Sequence, residues 1–202
     1  MEGSWRIVIP LRLSDAKTRL STQTAPRRRA LVIAMARDVI SAAQRCSLVG
    51  ETVLVADQEG LDAAAAAGAR AILDPGLGLN AAIRAGAADS PGPVATLLAD
   101  VPCATPELIS LALSACTGPP AIVSDAEGIG TTVLAALDVR SLDPRFGTRS
   151  RAAHIAAGAQ EISDPLPGGL AGLRRDVDSE VDLWDARRIG LGAFTVSALD
   201  NA

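Results

Sequence analysis

The chain has 202 residues, 49 % of them hydrophobic and 21 % charged, which excludes a disordered linker and suits one domain with a sizeable core. Nineteen basic against 23 acidic side chains leave a net charge of −4, the wrong sign for wrapping a nucleic-acid backbone, and two tryptophans, two phenylalanines and no tyrosine supply no stacking platform for single strands. No stretch approaches the ~20 uninterrupted apolar residues of a membrane helix. The first residues read as a strand and not as a secretory signal; Cys46, Cys103 and Cys116 fit a reducing cytoplasm, and one histidine excludes a multi-histidine metal site.

Short apolar runs alternate with helix-length amphipathic stretches. Residues 6–11 predict a first strand, and 26–45 a helix with Leu31, Met35, Val39 and Ala42 on one stripe and Pro26 in its first turn. Residues 52–56 follow as a strand, 60–67 as an alanine-rich helix, 71–73 as a strand and, after a Gly-Leu-Gly turn, 79–88 as a helix. A strand at 94–98 precedes a helix at 106–115 with Thr105 as its N-cap, and a strand at 121–124 ends the regular alternation. Beyond it come a glycine-rich turn at 127–132, a strand-like run at 132–136, a turn at 143–148, a helix at 149–157, a Pro/Gly loop at 164–172 and a last helix near 179–189. Continuous apolar strands between helices predict one α/β domain over residues 1–202, with three layers, α/β/α, around a mostly parallel sheet.

Candidate chemistry gathers at the ends of these runs. Leu97-Leu98-Ala99-Asp100-Val101-Pro102 ends a buried strand in an aspartate and a proline turn, setting a carboxylate at the edge where open α/β sheets bind ligands; a plain turn cap is the competing reading. Asp176-Val177-Asp178 precedes the last helix. In extended backbone its two carboxylates project to one side, an oxygen-only pair that suits Mg²⁺ or Mn²⁺, while Asp178 or Ser179 serves as the helix N-cap on the alternative reading. Converging with Asp100, the pair would make a metal–phosphate centre of three carboxylates. The loop after the first strand lacks the glycines of a P-loop or dinucleotide turn but offers Lys17 and Arg19 to phosphate. Gly76-Leu77-Gly78-Leu79-Asn80 opens a helix with free amides, and Asn80 carries both a donor and an acceptor for a base edge. Ser150 and His154 share a helix face, but their turn is not the strained elbow of a serine nucleophile, and His154 reads as packed or anion-facing. Arg27-Arg28-Arg29 opposes the helix macrodipole and reads as a solvated face or a phosphate or partner contact; the cysteines lack metal-ligand spacing and read as core.

The ordered set of segments resembles the guanylyltransferases that make the phosphodiester-linked precursor of the deazaflavin coenzyme F(420), a nucleotidyltransferase branch with a glycosyltransferase-A-like, nucleotide-diphospho-sugar transferase-like fold. The segments are Val8-Ile9-Pro10-Leu11 with Ala16 to Leu20, Ala34-Met35 with Asp38-Val39, Gly78-Leu79-Asn80, Ala99-Asp100-Val101-Pro102, Gly128 to Thr132, Phe146-Gly147 with Ser150 and His154, and Asp176-Val177-Asp178 with Asp182-Leu183. The molybdenum-cofactor guanylyltransferases, similar in fold, open instead with a glycine-rich loop, where this chain has Pro10-Leu11-Arg12. The resemblance implies that Asp100, Asp176 and Asp178 hold Mg²⁺, as two ions with Mn²⁺ as a substitute. It implies that Thr132, Gly147 and Ser150 bind a phosphorylated three-carbon acid, and that Leu11, Lys17, Arg19, Gly78 and Asn80 face the nucleotide. Thr132 stands where many relatives carry Asn, which bears on acid identity: phosphoenolpyruvate, 2-phospho-L-lactate or 3-phosphoglycerate, the first favoured because the alanine- and arginine-rich chain looks like bacterial relatives. The implied partners are GTP, that acid and the next enzyme of the pathway, without nucleic acid or membrane. A nucleotide-sugar glycosyltransferase and a non-catalytic nucleotide-binding module are the rival readings.

Overall fold

The computed structural model describes residues 4–13, 24–64, 68–163 and 169–200. The chain runs β1 (Trp5–Leu11), α1 (Ala25–Arg45), β2 (Val49–Ala56), α2 (Gln58–Ala64), β3 (Arg70–Leu73), α3 (Leu79–Ala87), β4 (Val94–Leu97), α4 (Pro106–Ala115), β5 (Ala121–Ser124), β6 (Thr131–Ala136), α5 (Ser150–Ala156), β7 (Gln160–Glu161), α6 (Ala171–Arg174), α7 (Glu180–Ile189) and α8 (Ala193–Asp200). The seven strands form one sheet in the order β3-β2-β1-β4-β6-β5-β7. Strand β1 pairs in parallel with β2 and β4, β2 with β3, and β5 with β7. Only β6 runs antiparallel to its neighbours, β4 and β5. Its amino end therefore lies at the edge where β1 to β5 present their carboxyl ends.

Alternation along β1 divides the core between the two faces, because successive side chains in a strand point oppositely. Ile7, Ile9 and Leu11 belong to a larger cluster with Met35, Val39 and Ile40 of α1, Ile109 and Leu113 of α4, Leu173 of α6 and Leu183 of α7. Val8 joins a smaller one with Val53, Val55, Ala82 and Ile83 of α3, Leu134 and Phe146. These are the three expected layers, each fully buried Ile or Leu contributing about 1.5–3 kcal/mol relative to exposure. Helix α3 packs closely enough that a Cβ on Gly86 would stand 2.5 Å from Val8 Cγ1 and 2.8 Å from Val55 Cγ2.

The expected elements up to residue 124 recur with small shifts of their ends. Thr105 caps α4 by accepting from the Leu108 N–H at 3.3 Å. Strand β7 and helices α6 and α8 are additional. Helix α6 stands inside what reads as a Pro/Gly loop at 164–172, of which 164–168 lie outside the described residues. Helix α8 is anchored by Asp38, a buried carboxylate in the middle of α1, which accepts from the Phe194 and Thr195 N–H groups at 3.0 and 2.8 Å. These first-turn amides have no partner within the helix, and the positive end of the helix dipole favours a carboxylate there. Gly192 makes the approach possible, since a Cβ there would meet Asp38 Cγ at 2.2 Å.

Candidate active site at the carboxyl edge of the sheet

Asp100 follows β4, in the turn after Leu98. The loop from 100 to 104 is held from four sides, and each contact belongs to a segment far along the chain. The Val177 N–H donates to the Asp100 carbonyl at 2.9 Å, and the Gly192 N–H to the Pro102 carbonyl at 2.9 Å. The Cys103 Sγ–H donates to the Ala186 carbonyl at 3.2 Å, and burial pushes that thiol up to about 12, so it stays a protonated donor. Helix α6 lies flat on the same loop: a Cβ on Gly172 would fall 2.4 Å from the Cys103 carbonyl oxygen and 2.7 Å from Leu108 Cδ1. This contact helps to seat residues 175–177 alongside residue 100, so the backbones of the two aspartate motifs meet although 76 positions separate Asp100 from Asp176.

The cap of α7 is built by Ser179 and Asp182, each side chain accepting from the other's end of the first turn, with the Asp178 N–H also donating to Asp182 at 3.2 Å. Asp178 is therefore not the N-cap. The half-buried Arg175 ties this turn to the neighbouring one through Glu127 at 3.0 Å and Asp182 at 3.1 Å. Among the described residues, however, no three His, Cys, Asp or Glu side chains stand close enough to hold a metal ion. The Asp100 and Asp176-to-Asp178 segments meet through main chain, and the ligation expected of their three carboxylates is taken up below as a proposal. Mg²⁺ dehydrates reluctantly and is commonly held by one or two carboxylates together with substrate phosphates, so an oxygen-only, carboxylate donor set of this kind fits a cation shared with phosphate.

The hairpin between β5 and β6 brings the second group to this edge. Asp125 builds the turn, accepting from the Ile129 and Gly130 N–H groups at 2.8 and 2.6 Å. A Cβ on Gly130 would collide with the same carboxylate at 2.4 Å. The Leu98 N–H donates to the Thr132 carbonyl at 3.0 Å, setting Thr132 beside the turn that carries Asp100. Thr132 is buried, and its hydroxyl donates to the Val123 carbonyl at 3.4 Å. Gly147, exposed at φ 139°, and Ser150, buried at the start of α5, come to the same corner because the Arg151 N–H donates to the Ile129 carbonyl at 3.2 Å. His154 is packed, as expected, with Phe146 edge-on at 5.1 Å between ring centroids. Its Nε2 accepts from the Arg145 N–H at 2.9 Å, so the ring proton sits on Nδ1 and donates to Thr131 Oγ1 at 3.0 Å. Burial holds its pKa below 6.5. Both nitrogens are thus engaged away from a hydrolase pairing with Ser150.

A cavity of about 210 Å³ opens at the carboxyl end of β1, lined by Pro10, Leu11, Arg12, Asp74, Leu79 and Ala82. Asp74 closes one wall, paired with Arg12 at 3.0 Å and accepting the Gly76 N–H at 2.8 Å, while Gly76 and Gly78 take φ of 75° and 95° that L side chains rarely adopt. Leu11 lines this cavity, and Gly78 immediately precedes Leu79, which lines it too. Asn80 differs. Its Oδ1 accepts from the Phe146 N–H at 2.8 Å and its Nδ2 donates to the Phe146 carbonyl at 3.0 Å, so the amide expected to read a base is engaged by main chain. Lys17 and Arg19 lie outside the described residues. At the start of α1, Arg29 pairs with Glu59. Asp125 was missed in the sequence, although an aspartate a few residues ahead of a Gly-x-Gly turn is a signal for a side chain that accepts turn amides.

Comparison with known proteins gives the family and the fold. A family model described as guanylyl transferase CofC like matches residues 5–163. A phosphoenolpyruvate guanylyltransferase from Thermomonospora curvata is 40 % identical over 97 % of this chain and 89 % of its own length. One from Salinispora arenicola is 42 % identical over 96 % of this chain and 93 % of its own. Among solved structures, a candidate nucleotide-diphospho-sugar transferase from Desulfovibrio desulfuricans superposes with a TM-score of 0.72 at 16 % identity, covering 98 % of this chain and 95 % of that one. The CMP:2-keto-3-deoxy-manno-octonic acid synthetase complexed with CTP gives a TM-score of 0.58 at 14 % identity, with 93 % and 98 % covered. These two likenesses establish the fold, the sequence relatives the family.

Proposed function

The chain belongs to the CofC-like guanylyl transferase family, and from that premise we propose that it joins GMP from GTP to the phosphate of phosphoenolpyruvate, releasing pyrophosphate, in the assembly of coenzyme F(420). The observation that carries the reading is the Val177–Asp100 main-chain bond, which sets an Asp-x-Asp motif beside the aspartate at the end of β4. A phosphate oxygen of the acid attacks the α-phosphorus of GTP in line; the bond to the β-phosphate oxygen breaks and its electrons leave with pyrophosphate. The attacking phosphate is already ionised at pH 7, so no side chain has to remove a proton. What the chain must supply is alignment and cancellation of charge between two anions.

Asp100, Asp176 and Asp178 are the residues that would hold Mg²⁺, or Mn²⁺ in its stead, and a divalent ion there supplies charge neutralisation between the phosphates. Leu11 lines the cavity proposed for the nucleoside and Gly78 precedes Leu79 on its wall, and Lys17 and Arg19, which follow β1 in the sequence, are the cations proposed for the triphosphate. Thr132, Gly147 and Ser150 form the corner for the phospho-acid, with main-chain amides and small side chains that let a compact anion approach. No described helix is long and apolar enough to cross a membrane, and the three cysteines are free and buried. A cytoplasmic enzyme that passes its product to the next enzyme of the pathway fits these traits.

The test is incubation of the full chain with MgCl₂, each of GTP and ATP, and each of phosphoenolpyruvate, 2-phospho-L-lactate and 3-phosphoglycerate. Pyrophosphate release together with a mass matching guanosine diphosphate esterified to enolpyruvate is expected from GTP and phosphoenolpyruvate. Turnover only with another acid would redraw the acid pocket, and no pyrophosphate from any pair would overturn the activity.

A further inference from the structure

The segment from 143 to 146, immediately before Gly147, is gripped by side chains from two helices that do not contact each other's grips. From α3, Asn80 takes both main-chain polar groups of Phe146, at 2.8 and 3.0 Å, and Arg84, one turn further along the same face, donates to the Pro144 carbonyl at 3.3 Å and pairs with Asp143 at 3.6 Å. From α5, His154 accepts the Arg145 N–H and presents its ring to Phe146. Helix α3 itself starts at Leu79, which with Ala82 lines the 210 Å³ cavity, and is seated on the sheet through Gly86 without room for a methyl group. Any displacement of α3 is thereby passed to Phe146 and on to the glycine that follows it.

Resting on the function proposed above, we infer that Asn80 is a positioning residue for the phospho-acid and not a reader of the nucleobase: it clamps Phe146 so that Gly147 and Ser150 present one fixed corner, and α3 makes the nucleotide turn and the acid corner a single rigid unit. A bidentate amide-to-main-chain pair fixes both the distance and the rotation of a peptide unit, which a lone hydrogen bond does not. The neighbouring Gly147, at φ 139°, has no side chain to limit its own wandering. Without the clamp the corner keeps its residues but loses their alignment.

Steady-state kinetics of the full chain with GTP and phosphoenolpyruvate test this. Asn80→Ala is expected to raise the KM for phosphoenolpyruvate about tenfold, the loss of two hydrogen bonds of ordinary net strength, while the KM for GTP and the preference for GTP over ATP stay unchanged. Hydrogen exchange at the Phe146 amide is expected to accelerate in the same variant. Arg84→Ala, on an exposed part of the helix, is expected to raise the phosphoenolpyruvate KM in the same direction by less, and it decides the matter if Asn80→Ala does not fold. A raised GTP KM or lost choice of base with an unchanged phospho-acid KM would overturn the inference in favour of base reading. If the unaltered chain releases no pyrophosphate with any phospho-acid, it is the proposed function that fails. The clamp is then still judged by Phe146 exchange, where an unchanged rate in Asn80→Ala sinks it.

Discussion

At the amino ends of β1, β2 and β3, Arg6, Glu51, Arg70 and Asp89 satisfy one another: Arg6 meets Glu51 at 2.6 Å and Asp89, and Arg70 meets Asp89 at 2.9 Å. At the carboxyl ends of the same sheet the polar groups are spread over turns, and what holds them is main chain, as in the bonds Val177 to Asp100, Leu98 to Thr132 and Arg151 to Ile129. Charges that neutralise each other leave nothing for a ligand. Turns braced through their amides and carbonyls hold their shape without using every side-chain charge, although Arg12 and Arg175 also pair with carboxylates there. The difference teaches where stability and chemistry are divided in this molecule, and substitutions at each edge should separate accordingly.

The largest effect belongs to the ligand edge. Asp100→Asn and Asp176→Asn are expected to lower transfer by roughly 10³ or more with little change in melting temperature; near-normal pyrophosphate release by both, with Mg²⁺ present, would break the division. Gly172→Ala comes next. Its methyl would have to push α6 away from the Cys103 carbonyl, 2.4 Å distant, shifting the Asp176 segment, and a misplacement of about 1 Å costs about 10² in turnover. A stopped assay at saturating substrates reads this directly, and full activity would mean that α6 does not set the aspartates.

Gly86→Ala is the matching probe of packing. The added methyl overlaps Val8 and Val55 and should cost about 1–3 kcal/mol, or about 2–4 °C in melting temperature per kcal/mol, and, because α3 carries Asn80, it should also raise the KM for phosphoenolpyruvate. Arg6→Met should lower thermal stability more modestly and leave kinetics alone. In the unaltered chain the Arg70 partner, with Arg6, holds Asp89 down at about 2, so its contribution is present above the ordinary aspartate range and is lost only as pH falls through about 2.

The smallest effect sharpens the comparison from the ligand side. Burial lowers the His154 pKa from 6.5, offset in part by the Ser150 carbonyl and by Asp143, while Arg145 adds to the lowering. A lowered imidazole pKa means that the unfolded chain takes up a proton before the folded one does. Stability from neutral His154 is therefore complete above pH 6.5 and declines as pH falls from there through the folded value. His154→Gln should flatten that part of the melting-temperature profile, and an unaltered profile would argue that the ring is not held neutral by its site.

Strands β1 to β5 were legible because each is a continuous apolar run flanked by turn residues, and Thr105 and Ser179 were legible as caps from local chemistry. Asp100 was legible as a carboxyl-edge residue for the same reason, whereas the Asp176-Val177-Asp178 motif follows a loop and its place beside Asp100 comes from a main-chain bond between distant segments. The order β4-β6-β5 was not, since a strand's neighbours depend on pairing that leaves no local trace. Helix α8 hangs on Asp38, a charge inside an apolar stripe that reads as a defect until its distant amide partners are known. The main-chain partner of Asn80 was hidden for a related reason: an amide beside a glycine turn advertises its hydrogen-bonding groups but not who takes them, and Phe146 is 66 positions away.

The insertion of β6 between β4 and β5 also constrains how this sheet can be assembled. After β4 and α4 are made, β5 emerges next, and the open flank of β4 is the slot that β6 must finally occupy. Docking β5 there in parallel would give a plausible but wrong sheet with one strand stranded outside. The productive route is for β5 and β6 to zip together first through the tight Asp125 turn and then to add to β4 as a preformed pair. The tight Asp125 turn keeps the β5–β6 pairing local in sequence, the kind of contact that costs least loop-closure entropy to form.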